Sequence, residues 1–232
     1  MPSKRSDVAE RLLDLFFVRR DVYGLEAEDG WRTVKKPVTA GLVKGHLEGR
    51  YCLGAHPIGR NGECRWIGWE IDSATVLPPL YTRLKAVFPE SAMVIHTTGG
   101  RSYHIKVFFK CPISSEDAYR IAKRMAGDLR GVEFYPKQPG IGRGYGNFMR
   151  LPLGRHGRTG RIGVLIRPES LFDVAPCMPP APPVFSSLAG DCPYRVQEAW
   201  MVNGRIELLD EYSCTYHNGS IGRCKAELCP KI

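Results

Sequence analysis

The run at 64–72, CRWIGWEID, constrains the fold more than any other stretch, because it is apolar enough to be buried yet carries two carboxylates one residue apart. Aromatic and branched residues with glycine make it a strand entering a core. Successive side chains of a strand point to opposite faces, so Glu70 and Asp72 project side by side while Ile71 faces the other way. Two carboxylates sharing a face repel one another unless a cation sits between them. A divalent ion is one solution, and an oxygen-only donor set favours magnesium or manganese. An edge strand with a solvated outer face is the other, and the pair alone does not separate the two.

Around this run, strand-like and helical stretches alternate. Residues 4–18 (KRSDVAERLLDLFFV) set Val8, Leu12, Leu13, Phe16 and Phe17 on one stripe, which predicts a helix with Ser6 or Asp7 as its N-cap. RYCLGAHPI and CRWIGWEID are separated by the turn signal GRNGE and together predict a hairpin. Residues 77–88 follow with prolines 78 and 79 near a helix start. SAMVIHTT and SYHIKVFF, joined by GGR, predict a second hairpin. Residues 114–129 have a hydroxyl cap, acids in the first turn and apolar residues at helical spacing. GVEFY reads as a short strand. After the glycine-rich loop GIGRGYG, NFMRLPL and RIGVLIR read as strands around a GRHGRTG turn. The sum is an α+β fold with mainly antiparallel pairing. Five prolines within 174–184 mark a linker, drawn at 171–190 between a core at 1–170 and a small Cys/His tail at 191–232.

Charge is unevenly spread. The net charge is +9, yet residues 191–232 hold five bases against six acids, so the excess lies in the first 190 residues. Between Glu133 and Glu169 there is no acid, while Lys137, Arg143, Arg150, Arg155, Arg158, Arg161 and Arg167 fall in that span. Such a concentration attracts polyanions, nucleic acid or nucleotide phosphates among them, although a basic face also serves solubility. The hydrophobic content of 43% is that of a folded chain rather than a disordered one. No apolar run reaches the length of a membrane span, and MPSKRSDVAERL lacks a signal-peptide core, so a cytoplasmic setting is expected. A reducing compartment argues against reading the eight cysteines as a disulfide framework.

Two further constellations could carry chemistry. Ser102 and His104 in GGRSYHIKVFF are again spaced i, i+2 on a strand, preceded by glycines that allow a ligand close to the backbone. A hydroxyl beside an imidazole can bind phosphate oxygens; no third member of a hydrolase triad accompanies them. An ordinary polar strand face fits the same spacing. Glu133 in GVEFYPKQ would complete a three-carboxylate metal site with Glu70 and Asp72, an arrangement that lets two ions align an attacking hydroxyl with a nucleoside triphosphate. Lys137, Arg150, Arg155 and Arg158 would then contact the phosphates. In the tail, Cys214, His217, Cys224 and Cys229 have the spacing C-x2-H-x6-C-x4-C, which can wrap a structural zinc, with Cys192 as a substitute ligand; buried reduced cysteines are the other reading.

DVYG, LGAHPIGRNGECRWIGWEID, TTGGRSYHIKVFF, VEFYPKQ and GNFMRLPLGRHGRTGR occur in the order typical of archaeo-eukaryotic primases. The chain most resembles the primase-polymerase domains of mobile elements, conflict systems and CRISPR-associated loci. The resemblance spans roughly 19–167. It assigns Glu70 and Asp72 to the family's acidic pair, Ser102 and His104 to its serine-x-histidine motif, and Glu133 to its single acid on a strand. The first acid is commonly aspartate and here is glutamate, one methylene longer, which bears on the metal spacing. The resemblance implies a core of an N-terminal α/β unit and an RNA-recognition-motif-like unit with the active site between them. It also implies a DNA primase or polymerase that uses two magnesium or manganese ions, nucleoside triphosphates and a single-stranded DNA template, with a helicase or another replication or defence protein as a partner. The competing readings are a single-stranded nucleic-acid-binding module with a degraded site, and a two-metal nuclease. A requirement for nucleoside triphosphates separates the first from both.

Overall fold

The computed structural model describes residues 4–27, 30–142, 144–180, 184–187, 195–202, 205–214 and 222–223, with side chains between 7 and 180. Two units divide the chain, Met1–Pro179 and Pro180–Ile232. The first contains α1 (Lys4–Phe16), β1 (Tyr23–Ala27), β2 (Gly30–Val34), α2 (Ala40–Leu47), β3 (Cys52–Ala55), β4 (Glu63–Ile71) and α3 (Leu77–Val87). It continues with β5 (Met93–Thr97), β6 (Tyr103–Ser114), α4 (Ser115–Ala126), β7 (Val132–Tyr135), β8 (Met149–Arg150) and β9 (Leu165–Arg167). Two antiparallel sheets result: a first of order β2-β1-β3-β8 and a second of order β7-β4-β6-β5-β9. The mixed α and antiparallel β content is that expected from the sequence.

Both GRNGE and GRHGRTG turn the chain as expected, but the strands on either side of each turn join different sheets. At the first, the Gly59 amide donates to the Glu63 carbonyl at 2.7 Å and Ile58 bridges Cys64. Pro57 has no amide with which to continue a ladder. β3, buried at all four residues, pairs with β1 and β8 instead, and β4 pairs with β6 and β7. The expected hairpin is therefore a crossover between sheets. At the second turn, Arg155 bridges Ile162, β8 belongs to the first sheet and β9 to the second. Strand β8 stops after two residues because Pro152 lacks a donor and Leu153 adopts a left-handed φ of 66°. Helix α1 begins at Lys4, so Ser6 and Asp7 lie inside its first turn rather than at its cap, where Asp7 still complements the helix dipole. Helix α4 starts as expected, with the Ser114 hydroxyl accepting from the Asp117 amide at 3.0 Å.

The second sheet is apolar on one whole face and on half of the other. Trp69, Ile67, Ile71, Ile105 and Val107 are buried on the α4 side, where the Trp69 Nε1 donates to the Ala122 carbonyl at 2.9 Å. On the opposite face Trp66, Phe108 and Val94 join the core of α1 and the first sheet. There the Trp66 Nε1 donates to the Phe16 carbonyl at 2.8 Å, and the Phe16 and Phe108 rings meet edge-on at 5.0 Å. Where the sheets approach, a side chain at Gly68 would come within 2.7 Å of the Met149 sulfur. Glycine is what allows this contact.

The stretch after residue 170, read as the start of a linker, is packed as far as Cys177. Leu171 and Val174 are buried, Arg11 donates to both of their carbonyls, and Cys177 bridges Phe109. The second unit has a four-stranded antiparallel sheet, β10 (Val184–Ser187), β11 (Arg195–Val202), β12 (Arg205–Cys214) and β13 (Gly222–Arg223), paired in chain order. Its first strand also falls inside the span drawn as linker. Of the residues read as zinc ligands, His217, Cys224, Cys229 and the substitute Cys192 lie outside the described residues, and Cys214 is described by its backbone at the end of β12. No helix among the described residues is long and apolar enough to cross a membrane.

Candidate active site

Strand register assembles one polar row across the second sheet. Glu70 on β4 stands opposite His104 on β6 and Glu133 on β7, and His104 stands opposite His96 on β5. Glu133, Glu70, His104 and His96 therefore lie side by side on four neighbouring strands. One level above, Asp72 follows the end of β4, its amide donating to the Gly131 carbonyl at 3.1 Å. Ser102 precedes β6 and donates its hydroxyl to Asp72 Oδ1 at 3.3 Å. One level below, Gly68 stands opposite Lys106 and Tyr135. The β5–β6 turn fixes this register: the amide and hydroxyl of Thr98 both donate to the Ser102 carbonyl at 3.1 Å, and Gly99 takes a φ of 79°.

The row is buried at its centre. His104 is 2% exposed, and among the described residues no partner meets either of its ring nitrogens with good hydrogen-bond geometry. Glu70 Oε2 lies 3.6 Å from its Nε2, beyond bonding distance. Burial, with the positive charges of Lys106 and Arg150, holds His104 well below the ordinary histidine range and therefore neutral. Burial does the same to His96, with Lys106 and His104 adding to it. His96 Nδ1 donates to the Thr97 carbonyl at 3.0 Å, which leaves Nε2 to accept from Lys106 Nζ at 3.1 Å. Lys106 is fully buried and also donates to the Arg150 carbonyl at 2.9 Å; burial lowers its ammonium to about 7, against the pull of Glu70. Tyr135, its hydroxyl 3.5 Å from Glu70 Oε2, is pushed far up by burial and then by Glu70 and Glu133. Lys137 Nζ sits 2.6 Å from Glu133 Oε2.

The basic turn at 154–163 rests beside this row. The Thr159 hydroxyl donates to the Gly99 carbonyl at 2.8 Å, and a Cβ at Gly100 would come within 2.8 Å of His156 Nε2. Glu26 tethers the turn from the first sheet by accepting the Gly157 amide at 3.1 Å. It also receives both terminal nitrogens of Arg150 at 2.9 Å, in a pair only 10% and 12% exposed. Burial works to raise the Glu26 carboxyl, but the Arg150 hydrogen bonds and charge outweigh it and lower it overall. Arg155 is exposed at the base of the turn and Arg158 at its tip.

The structure thus brings together Glu70, Asp72, Glu133, Ser102 and His104, with Lys137 held on Glu133. It places Arg155 and Arg158 on the adjoining turn and commits the Arg150 guanidinium to Glu26. Sequence reasoning did not single out His96, Lys106, Tyr135, Glu26 or His156. The alternation of β6 offered one signal, since Lys106 shares a face with Ser102 and His104. Asp128, the acid five residues before Glu133, lies beyond α4 in an exposed pair with Arg83 at 2.7 Å, off the row. The oxygen donors of Glu70 and Asp72 suit a hard divalent ion, and His104 beside them has ring nitrogens able to meet a polar ligand. Among the described residues, however, no three His, Cys, Asp or Glu side chains are gathered closely enough to hold a metal, and Glu133 faces Lys137 instead.

Residues 25–172 match the model of the archaeo-eukaryotic primase domain of TOTE conflict systems. Among solved structures, the chain is similar to the archaeo-eukaryotic primase domain of the cyanophage S-2L primase-polymerase, with 19% identity over 73% of this chain and 97% of that one and a TM-score of 0.48. It is also similar to the polymerase domain of Mycobacterium tuberculosis Ligase D in complex with DNA, with 14% identity over 68% and 80% and a TM-score of 0.44. No curated protein sequence matches the chain.

Proposed function

Because the chain belongs to the archaeo-eukaryotic primase family, with the primase domains of TOTE conflict systems, we propose that it is a template-dependent nucleotidyltransferase that joins nucleoside triphosphates on single-stranded DNA, making primers and extending them. The observation that carries this reading is the row of Glu133, Glu70 and His104 with Asp72 and Ser102 one level above, two strand motifs brought face to face by register. Glu70 and Asp72, joined by Glu133 once Lys137 leaves it, would hold magnesium or manganese, which would supply the activation of a 3′-hydroxyl and the neutralisation of the phosphates. The chain's own residues do the rest. Neutral His104 has one ring N–H that can donate to a phosphate oxygen. The Ser102 hydroxyl turns between Asp72 and the same phosphate group. Arg158 and Arg155 reach the triphosphate from the basic turn, and Lys137 exchanges Glu133 for phosphate, which frees the third carboxylate. Arg150 acts through Glu26, holding the turn in place rather than touching the nucleotide.

The test is incubation with a single-stranded DNA template, labelled nucleoside triphosphates and magnesium or manganese, with and without a primer. Products without primer that vanish in Asp72→Ala establish a primase. Products only with primer reduce it to a polymerase. Template binding with no product under any metal sinks the catalytic reading in favour of a binding module, the reading that the Lys137–Glu133 pair supports.

A further inference from the structure

The first sheet has one face too many rings. Leu53, Ala55, Met149 and Leu151 turn inward to the core shared with α1. An antiparallel sheet covered on one side ordinarily keeps its other face polar. Here that face carries Trp31, opposite Glu26 on the edge strand β2 and 37% exposed, and Phe148, two residues before Arg150. The two rings lie 5.3 Å apart. Phe148 lies over Gly24 and Gly54, which stand opposite each other on β1 and β3; a Cβ at either would come within 2.6 Å of the ring. Two glycines side by side in adjacent strands weaken a sheet, and what they gain here is a flat seat for one aromatic ring.

Cations accompany the rings. The Arg150 guanidinium lies 4.8 Å from the Trp31 centroid, and Lys35 Nζ is 5.3 Å from that of Tyr145. At the inner end, His56 meets Phe148 edge-on at 5.3 Å and is 1% exposed. The face is joined to the candidate active site through Arg150, Glu26 and the Gly157 amide.

We propose that this outward face of the first sheet is the stacking platform for the single-stranded template, with bases on Trp31 and Phe148 and the backbone phosphates drawn by Lys35 and the neighbouring bases of the chain. Stacking on rings beside cations binds a single strand with little regard to sequence. The proposal deepens the polymerase reading and rests on it only for what the strand is used for, since binding needs neither metal nor nucleotide.

The experiment is fluorescence anisotropy of a labelled oligothymidylate with the full chain, in the absence of metal and nucleotide. Trp31→Ala weakens binding about tenfold, and Trp31→Phe restores most of it. Phe148→Ala repeats the loss, and its melting curve shows whether the seat on Gly24 and Gly54 survives. The proposal is overturned if Trp31→Ala, unchanged in melting temperature, binds the strand like the parent, or if a duplex of the same length suffers the same loss, because paired bases cannot stack on a ring. Strand binding through Trp31 without any synthesis defeats the polymerase reading alone; synthesis with no role for Trp31 in binding defeats the platform alone.

Discussion

One face of the second sheet is a core at one end and the candidate active site at the other. Strand β4 contributes Trp66, Gly68, Glu70 and, just past its end, Asp72 to that face; β6 and the turn before it contribute Phe108, Lys106, His104 and Ser102. The same strands, read two residues at a time, pass from fully buried rings to an exposed carboxylate. What differs is the cover. Trp66 and Phe108 lie in one core with α1 and the first sheet, whereas the acidic end is flanked by the basic turn at 154–163. The packed core is therefore concentrated at one end and the polar row at the other, with Lys106 and Gly68 at the border. If that division holds, substitutions at the two ends separate activity from folding.

The largest effect is expected at the acidic end. Asp72→Ala removes a carboxylate whose charge stabilisation in metal-assisted transfer is worth several kcal/mol, so synthesis falls about a thousandfold or more. The residue is exposed and its side chain bonds Ser102 alone among the described contacts, so the urea midpoint stays close to that of the parent. A loss of synthesis accompanied by a large loss of stability breaks the separation of the two ends.

Trp66→Ala is the mirror experiment. It empties a fully buried site and leaves the Phe16 carbonyl without its indole donor, for a cost of about 3–5 kcal/mol in urea unfolding. Activity per folded molecule at low temperature is retained within a small factor. A collapse of specific activity in protein shown to be folded means that the core end also shapes the site.

At the border, Lys106 makes the comparison depend on pH. Its ammonium falls from the ordinary lysine value of 10.5 to about 7 in the folded chain, so between those values the unfolded chain binds more protons. Stability then rises with pH across this window, by a few kcal/mol in all, and the penalty is complete below about pH 7. Lys106→Met, which keeps the volume but not the charge, flattens that rise while leaving the Arg150 carbonyl and His96 Nε2 without a donor. The groups facing the ammonium are His96, His104, Glu70 and Arg150; both histidines, already held neutral, titrate below the window. Melting temperatures of the parent and Lys106→Met from pH 6 to pH 10 decide it, and parallel curves defeat the assignment.

These borders explain what could be read from the chain and what could not. The acidic pair was legible because i, i+2 spacing fixes a shared face in any strand, whatever its neighbours. The β5–β6 hairpin was legible because its turn is short. The partition into sheets was not: GRNGE and GRHGRTG each specify a reversal, but not that the strands on either side pair elsewhere, which is decided by Pro57, Pro152 and the burial of β3 on both faces. His96 and Lys106 each look like a lone polar residue in an apolar run, and only register sets one beside His104 and the other beneath it. The commitment of Arg150 to Glu26 joins residues 124 apart in the chain, a distance at which no local pattern speaks. A cluster of bases thus pointed to phosphate as a class, while the division of labour among its arginines came only from the contacts.

The smallest effect tests whether position in the row, rather than the presence of an acid nearby in sequence, is what matters. Asp128 lies five residues before Glu133, yet its carboxylate is exposed beside Arg83 on the α4 side, away from the row. An exposed pair of this kind is worth about 0–1 kcal/mol. Asp128→Ala should therefore leave synthesis unchanged within about twofold and shift the urea midpoint barely at all, while Glu133→Ala lowers synthesis strongly. Equal losses from the two variants mean that the third carboxylate has been placed on the wrong strand, and the reverse order means that β7 serves the sheet and not the chemistry.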